Sequence, residues 1–171
     1  MDYGAGSGVL GMAACALFPD KVQATGVDID VDAIQIANAN AVTNIVNMQN
    51  YLPPLVETAD DESKSLLFKA HAHAQKQLDE RGESSSQLIL PEDLGKPIYD
   101  IAVANILAGP LVALSSTIAA LVRPGGSLAM SGILPQQADI VIEAYSKEFD
   151  NVTLEGEMGG WILITGVRKQ H

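Results

Sequence analysis

Asp2-Tyr3-Gly4-Ala5-Gly6-Ser7-Gly8 opens the chain, and its reading decides the fold. Glycines at alternate positions leave no side chains in a ligand's way and permit positive φ where a turn needs it. Val9, Met12, Ala13, Ala16 and Leu17 follow at helical spacing, so the loop is expected to open directly into an amphipathic helix. Such a loop is expected to present unpaired backbone N–H groups to a ligand. The spacing is not the dinucleotide fingerprint G-x-G-x-x-G, because Val9 stands where the third glycine belongs. That disfavours a nicotinamide-dependent oxidoreductase.

What stands here is G-x-G-x-G preceded by the acid Asp2, which resembles the first motif of the S-adenosylmethionine (SAM) methyltransferases. In that family the turn passes under the methionine part of the cofactor, so Asp2, Gly4, Gly6 and Gly8 are candidate cofactor contacts. A doubly wound fold places a strand before this loop, yet only Met1, Asp2 and Tyr3 are there to supply it. The first strand is therefore expected to be largely missing, with the sequence a fragment or its start assigned too far downstream.

Downstream, short apolar runs alternate with helical periodicity, as βαβ units and a parallel sheet require. Phe18-Pro19-Asp20 stops the first helix, and 22–27 reads as a strand ending at Asp28-Ile29-Asp30. Asp30 suits the N-cap of a helix carrying Ile34, Ala37 and Ala41, and 47–52 reads as a third strand closed by Pro53-Pro54. The rhythm resumes with a strand over 99–104. Next comes a helix from Pro110 with Leu111, Leu114, Ser115, Ile118, Leu121 and Val122 inward. Arg123-Pro124-Gly125-Gly126 turns into a strand over 127–131, and a further helix carries Ala138, Val141, Ile142, Tyr145 and Phe149. The runs 152–157 and 161–167 are expected to close the fold as an antiparallel hairpin.

Residues 57–93 interrupt this order with nine acidic residues against four basic, a net of −5. Leu67, Ala70, Ala74 and Leu78 can share one helix face that Gly82 ends, and Ser84-Ser85-Ser86 follows. The stretch reads as a polar insertion, partly helical or disordered, in one domain over 1–171. His71 and His73 lie two apart, on different helix faces, so no metal site is expected.

A formal charge of −11 argues against direct nucleic-acid binding and is compatible with a basic protein partner. Cys15 is the single cysteine, so no intramolecular disulfide forms, and a buried, inert thiol is expected among its small neighbours. No apolar run reaches the length of a membrane span, and no signal or transit peptide is visible. The expected location is the cytoplasm, or an organelle matrix or stroma in a eukaryote.

Ligands of doubly wound sheets bind beyond the carboxyl ends of the strands. Asp28 ends the second strand, where a carboxylate can accept both hydroxyl hydrogens of a ribose, with Ile29 beside it. The plainer alternative is that Asp28 caps the next helix. Asn105 ends the fourth strand, and its amide oxygen with the Ile106 carbonyl offers two acceptors to a substrate amine. An asparagine before a Gly-Pro turn can equally bond only to backbone.

At Asn105-Ile-Leu-Ala-Gly-Pro-Leu111, Arg123-Pro-Gly-Gly126 and Ser131-Gly-Ile-Leu134 the resemblance becomes specific: the chain is similar to the ribosomal-protein lysine methyltransferases known as PrmA. Asp2 to Leu10, Gly26-Val-Asp-Ile-Asp30, Tyr51-Leu-Pro53 and Trp161-Ile-Leu-Ile-Thr-Gly166 fit the same family in the same order. The resemblance implies a class I, Rossmann-like methyltransferase fold and SAM as cofactor. It also implies methyl transfer to lysine amino groups of large-subunit ribosomal protein eleven. By motif position it makes Gly4, Asp28 and Asn105 cofactor contacts, with Asn105 also facing the amine. The family's preceding strand and its separate N-terminal domain have no counterpart here, and neither does an upstream threonine of its cofactor site. Residues 57–93 are an addition to the bacterial pattern, and Met158-Gly159-Gly160 stands where members carry acids before the tryptophan. The electron-transfer-flavoprotein lysine methyltransferase is similar over the same domain, and a non-catalytic remnant acting as a binding module is the third reading.

Overall fold

The computed structural model describes residues 1–170; the last residue of the domain expected over 1–171 lies outside them. The chain divides into two compact units, one formed by Met1–Leu55 with Leu67–Glu92, the other by Val56–Leu66 with the stretch from Asp93 onward.

In the first unit, strands β1 (Asp2–Tyr3), β2 (Ala24–Val27) and β3 (Met48–Tyr51) pair in parallel. β1 is two residues long, in register with Gly26 and Val27. A Cβ on Gly26 would stand 1.9 Å from the Asn50 side-chain oxygen, so the β2–β3 pairing needs glycine there.

Helix α1 (Val9–Leu17) lies where the spacing places it, but the face is different. Gly11 and Cys15 are its buried residues, whereas Val9 is 60% and Leu17 73% exposed. A sequence that is apolar on every side carries no periodic signal to fix its rotation. Close packing decides instead: a Cβ on Gly11 would meet the Met48 methyl at 2.7 Å, so the smallest residues turn inward. Cys15 donates to the Asn47 carbonyl at 3.3 Å.

Helix α2 (Val31–Thr43) is capped by Asp30, whose carboxylate accepts from Asp32 N at 2.9 Å, and it buries Ile34, Ala37 and Ala41. Helix α3 (Asp61–Arg81) occupies most of the polar stretch; residues from Leu67 onward belong to the first unit. Its stripe Leu67, Ala74 and Leu78 is buried, with Ala70 half-buried. Ala74 and Leu78 form a core with Val31, Ile34, Leu52 and Leu88. Arg81 donates to both oxygens of Asp32 at 2.6 and 3.1 Å. The serine run, which its composition marks as disordered, forms a short turn capped by Ser84, and Leu88 O accepts from Leu52 N at 2.7 Å. An apolar stripe hidden among charges gives this segment a face to bury.

In the second unit β4 (Tyr99–Asn105) runs parallel to β5 (Val122–Ile133). The single helix expected between them is two: α4 (Ala108–Ala113) and α5 (Ser115–Leu121), broken at Leu114 with φ −103 and ψ 8. Pro110 is the third residue of α4 rather than the first, which is tolerated because the first four N–H groups of a helix have no partner within it. Leu111, Leu114, Ile118, Leu121 and Val122 are buried as expected, while Ser115 is half-buried. The Arg123–Gly126 turn lies within β5, not before it. Helix α6 (Ala138–Tyr145) ends before Phe149, which begins β6 (Phe149–Met158) instead of finishing the helix. β6 and β7 (Trp161–Arg168) form the expected antiparallel hairpin, and β7 also pairs antiparallel with β5. The hairpin turn uses Gly159 at φ 62 and Gly160 at φ 82, the doubly left-handed geometry that matches strand twist. No helix among the described residues is long and apolar enough to cross a membrane.

Candidate functional site

The glycine loop joins β1 to α1 through three left-handed residues, Gly4 (φ 77), Gly6 (φ 54) and Gly8 (φ 82). Four of its N–H groups, expected to be unpaired, have partners. Gly4 N and Ala5 N both donate to the Val27 carbonyl at 2.8 and 3.0 Å, and Gly8 N donates to Ala5 O at 2.8 Å. Gly6 N donates to Asp28 Oδ2 at 2.8 Å. What the loop offers is therefore close approach. A Cβ on Gly6 would meet nothing within 4 Å, so the backbone is open there. At Gly8 a Cβ would stand 3.2 Å from that of Ala37, so this glycine serves packing.

Asp28, at the end of β2, ties the loop to the start of α2. One oxygen accepts from Gly6 N, and the other accepts from Asp30 N at 3.0 Å. Both its proposed roles, helix entry and ligand contact, are open to it, because a carboxylate has about four acceptor positions and two are used. Ile29 beside it is 54% exposed. Asp2 lies on the inner side of the loop, 2% exposed, and its Oδ2 accepts from Gly11 N at 3.0 Å. Burial raises its pKa above the ordinary carboxylate value, and the Gly11 hydrogen bond partly offsets this. It anchors loop to helix from beneath.

These residues fit a nucleoside cofactor: a carboxylate with spare acceptor capacity for a ribose diol stands beside backbone without a side chain. His71, by contrast, shares a 2.7 Å hydrogen bond with the Pro53 carbonyl, and no three His, Cys, Asp or Glu groups among the described residues are placed to hold a metal.

The second unit places Asn105 and Ile106 together at the carboxyl end of β4, with Ser131 paired opposite Asn105. Gly132 is the position that sequence reasoning left without a role. Its φ is +78, and a Cβ there would stand 2.6 Å from the Ile106 carbonyl oxygen and 3.0 Å from Asn105 Oδ1. Two acceptor oxygens thus converge on one side-chain-free point. Ser131 Oγ donates to Ile162 O at 3.0 Å, fastening β5 to the start of β7. A glycine at the end of an apolar strand marks a special backbone position in the sequence, but not which oxygens lie beside it.

A groove of about 770 Å³ opens over this corner, with Asn105, Ile106, Gly132, Glu157, Met158 and Trp161 among its lining residues. Met158 and Trp161 face each other across the hairpin, 85% and 46% exposed. Glu157 and Trp161 entered the sequence reading as a strand end and a family motif, with no part in a pocket.

Comparison with known proteins bears on this arrangement. The family model described as ribosomal protein L11 methyltransferase (PrmA) matches residues 1–169. A ribosomal protein L11 methyltransferase of Pseudomonas savastanoi pv. phaseolicola is 37% identical over 169 residues, covering 99% of this chain and 45% of the relative. One from Shewanella piezotolerans is 39% identical over 170 residues, with the same coverage. The chain thus spans less than half the length of these curated relatives. Among solved structures, a ribosomal protein L11 methylase from Lactobacillus delbrueckii subsp. bulgaricus superposes with a TM-score of 0.65 at 24% identity, covering 98% of this chain and 68% of that one. An RNA methyltransferase from Salinibacter ruber, solved with S-adenosyl-L-homocysteine, gives 0.57 at 13% identity, covering 99% and 80%. At those identities the structures speak to the fold, which is that of the SAM methyltransferases. The match over residues 1–169 and the identity to the curated relatives settle kinship: this chain belongs to the ribosomal protein L11 methyltransferase (PrmA) family.

Proposed function

We propose that this chain transfers methyl groups from S-adenosyl-L-methionine to lysine amino groups of a large-subunit ribosomal protein, in the compartment where ribosomes are made. What carries the reading is the kinship over residues 1–169 with proteins named for methylation of ribosomal protein L11. The bound cofactor supplies an electrophilic methyl group on a sulfonium.

In this proposal Asp28 accepts the ribose hydroxyls, the Gly4–Gly8 turn lets the rest of the cofactor lie against backbone, and Asp2 holds that turn to α1 through Gly11 N. Asn105 Oδ1 and the Ile106 carbonyl accept the amine hydrogens, which aims the nitrogen lone pair away from them; Gly132 leaves the space. A lysine side chain, which ordinarily titrates near about 10.4, must lose a proton before it reacts. In a transfer of this kind, holding nitrogen and methyl carbon in line supplies roughly 7–11 kcal/mol. Protein nucleophile and metal have no part in such a transfer.

Calorimetric titration with S-adenosyl-L-homocysteine tests the cofactor half. Asp28→Ala is expected to weaken binding by about 1.5–3 kcal/mol, the range for a hydrogen bond to a charged group. Asp30→Ala, which removes only the α2 cap, is expected to cost about 1 kcal/mol of stability and leave affinity near wild type. Absence of heat with the wild-type chain would favour a non-catalytic module. For the amine half, Asn105→Ala should abolish transfer to the ribosomal protein while affinity for S-adenosyl-L-homocysteine (below, the homocysteine analogue) stays within about tenfold, 1.4 kcal/mol. Turnover near wild type would remove Asn105 from the mechanism.

A further inference from the structure

We infer that Glu157 selects a cationic acceptor: its carboxylate holds the ammonium form of the incoming amine at the groove, before the neutral amine reaches Asn105 and Ile106. The inference rests on the reading of Asn105 and Ile106 as amine acceptors.

Glu157 is the only ionisable side chain among the described lining residues of the groove. Its carboxylate has no hydrogen-bond or ion-pair partner among the described residues. Glu155, two positions earlier on the same strand, is spent on the sheet: it accepts from Thr153 Oγ1 at 2.7 Å and Thr165 Oγ1 at 3.0 Å, and these bonds hold its pKa low. Glu157 is paired in register with Ile162, one rung before the Met158–Trp161 pair that the Gly159-Gly160 turn closes, so carboxylate and indole leave the hairpin on alternate faces at its end. A free carboxylate in a groove with apolar walls attracts an ammonium with an aliphatic stem, the charge to the carboxylate and the methylenes to the walls. A neutral or anionic side chain gains nothing from the carboxylate. The other groove residues, Asn105, Ile106, Leu107, Ser131 and Gly132, bring no charge to compete. Glu157 is therefore a positioning residue; it recruits the cation, whose proton leaves to solvent water before the neutral amine reaches Asn105 and Ile106. An amine at neutral pH is overwhelmingly ammonium, so a site built only of neutral acceptors would meet its reactive form in a fraction of about 10⁻³ or less. A carboxylate in the same groove raises the local concentration of the whole population.

Trp161 is the chain's single tryptophan, so its fluorescence reports on this groove alone. The probes are Nα-acetyl-lysine amide and Nα-acetyl-norleucine amide, its neutral counterpart without the terminal amino group, titrated into the wild-type chain, Glu157→Gln and Glu157→Asp. Wild type is expected to bind the lysine compound at least about tenfold more tightly than the norleucine compound, with a preference that fades in 0.5 M salt. Glu157→Gln should lose that preference and its salt dependence, and Glu157→Asp should keep part of it. In methyl-transfer assays Glu157→Gln should raise KM more than it lowers kcat. Equal binding of the two compounds by wild type, or an unchanged preference in Glu157→Gln, would overturn the assignment. Homocysteine-analogue binding separates the two ideas. An unchanged preference in Glu157→Gln, in a chain that binds the analogue and turns over, refutes Glu157 alone. A Glu157-dependent preference in a chain that neither binds the analogue nor transfers methyl supports Glu157 and refutes the proposed reaction.

Discussion

Ile45 sits at φ +53, a left-handed conformation that β-branched side chains avoid, and is 94% exposed. Its place explains the geometry. Ile45 N donates to Val42 O and Val46 N to Ala41 O, both at 3.1 Å, the paired bonds that close a helix through a left-handed residue usually supplied by glycine. Left-handed backbone costs a non-glycine residue about 1–2 kcal/mol, and glycine's extra unfolded-state freedom takes back about 0.5–1. Ile45→Gly is therefore expected to stabilise the chain by several tenths of a kcal/mol or more, read as a higher urea midpoint at unchanged m-value. A lower midpoint would mean that the exposed isoleucine is packed. Gly132 presents the opposite case. Gly132→Ala must displace the Ile106 carbonyl from 2.6 Å and strain the backbone at φ +78. Methyl transfer should fall by at least about tenfold while homocysteine-analogue affinity holds, since a misplaced acceptor of this kind acts on the transition state. Normal turnover in Gly132→Ala would show that the convergence of the two oxygens is incidental.

At the scale of elements, the chain was most legible where two signals coincide. Asp30 before a helical apolar repeat marked both the start of α2 and its buried face; Gly159-Gly160 between alternating runs marked the hairpin. It was least legible where one signal was saturated or masked. Helix α1 is apolar all round, so its rotation follows from contact with Met48, which no local pattern encodes. Helix α3 was legible in part: Leu67, Ala70, Ala74 and Leu78 could be placed on one face ended by Gly82, but the charge around them hid the start at Asp61 and the ordered turn that follows. The break at Leu114 and the place of Phe149 in β6 depend on tertiary packing that the period alone extends too far. The candidate site residues on strand ends, Asp28 and Asn105, could be named from motif position; the candidates Gly132 and Glu157 needed the strands assembled side by side. The role of α3 is testable. Leu78→Ala, removing a side chain 1% exposed, should cost about 2–5 kcal/mol, while Phe68→Ala, 60% exposed, should stay within about 0.5. Equal, small effects in a urea melt would make the segment the loose insertion that its composition suggests.

Across the whole molecule, charge sets a stability profile with two limbs of opposite sign. Asp32, Asp60 and Glu155 have pKa values lowered by hydrogen bonds from Arg81, from Ser63 N and from Thr153 respectively. Each contributes stability that is present above its unfolded pKa, near 4, and lost as pH falls through its folded value. Asp2 acts the other way. Its pKa is raised by burial, so its contribution is complete below the unfolded value and is lost as pH rises through the folded one. Stability should accordingly be greatest near pH 4–5 and decline toward neutrality. Self-repulsion of a chain with net charge −11 also lowers stability on that limb, so the slope alone does not identify Asp2. Salt separates the two. Repulsion among exposed charges is largely screened at 1 M, where the Debye length is about 3 Å, whereas desolvation of a carboxylate 2% exposed is not. In 1 M salt the wild type should therefore keep a falling limb above pH 4, and Asp2→Asn should lose it, since its amide oxygen can still accept from Gly11 N but does not titrate. The variant's absolute stability is a poor guide, because its new buried N–H groups cost about 1–3 kcal/mol if unpaired. The slope of stability against pH is the measurement. A limb of the same steepness in Asp2→Asn at 1 M salt would show that the carboxyl beneath the glycine loop titrates as it does in the unfolded chain.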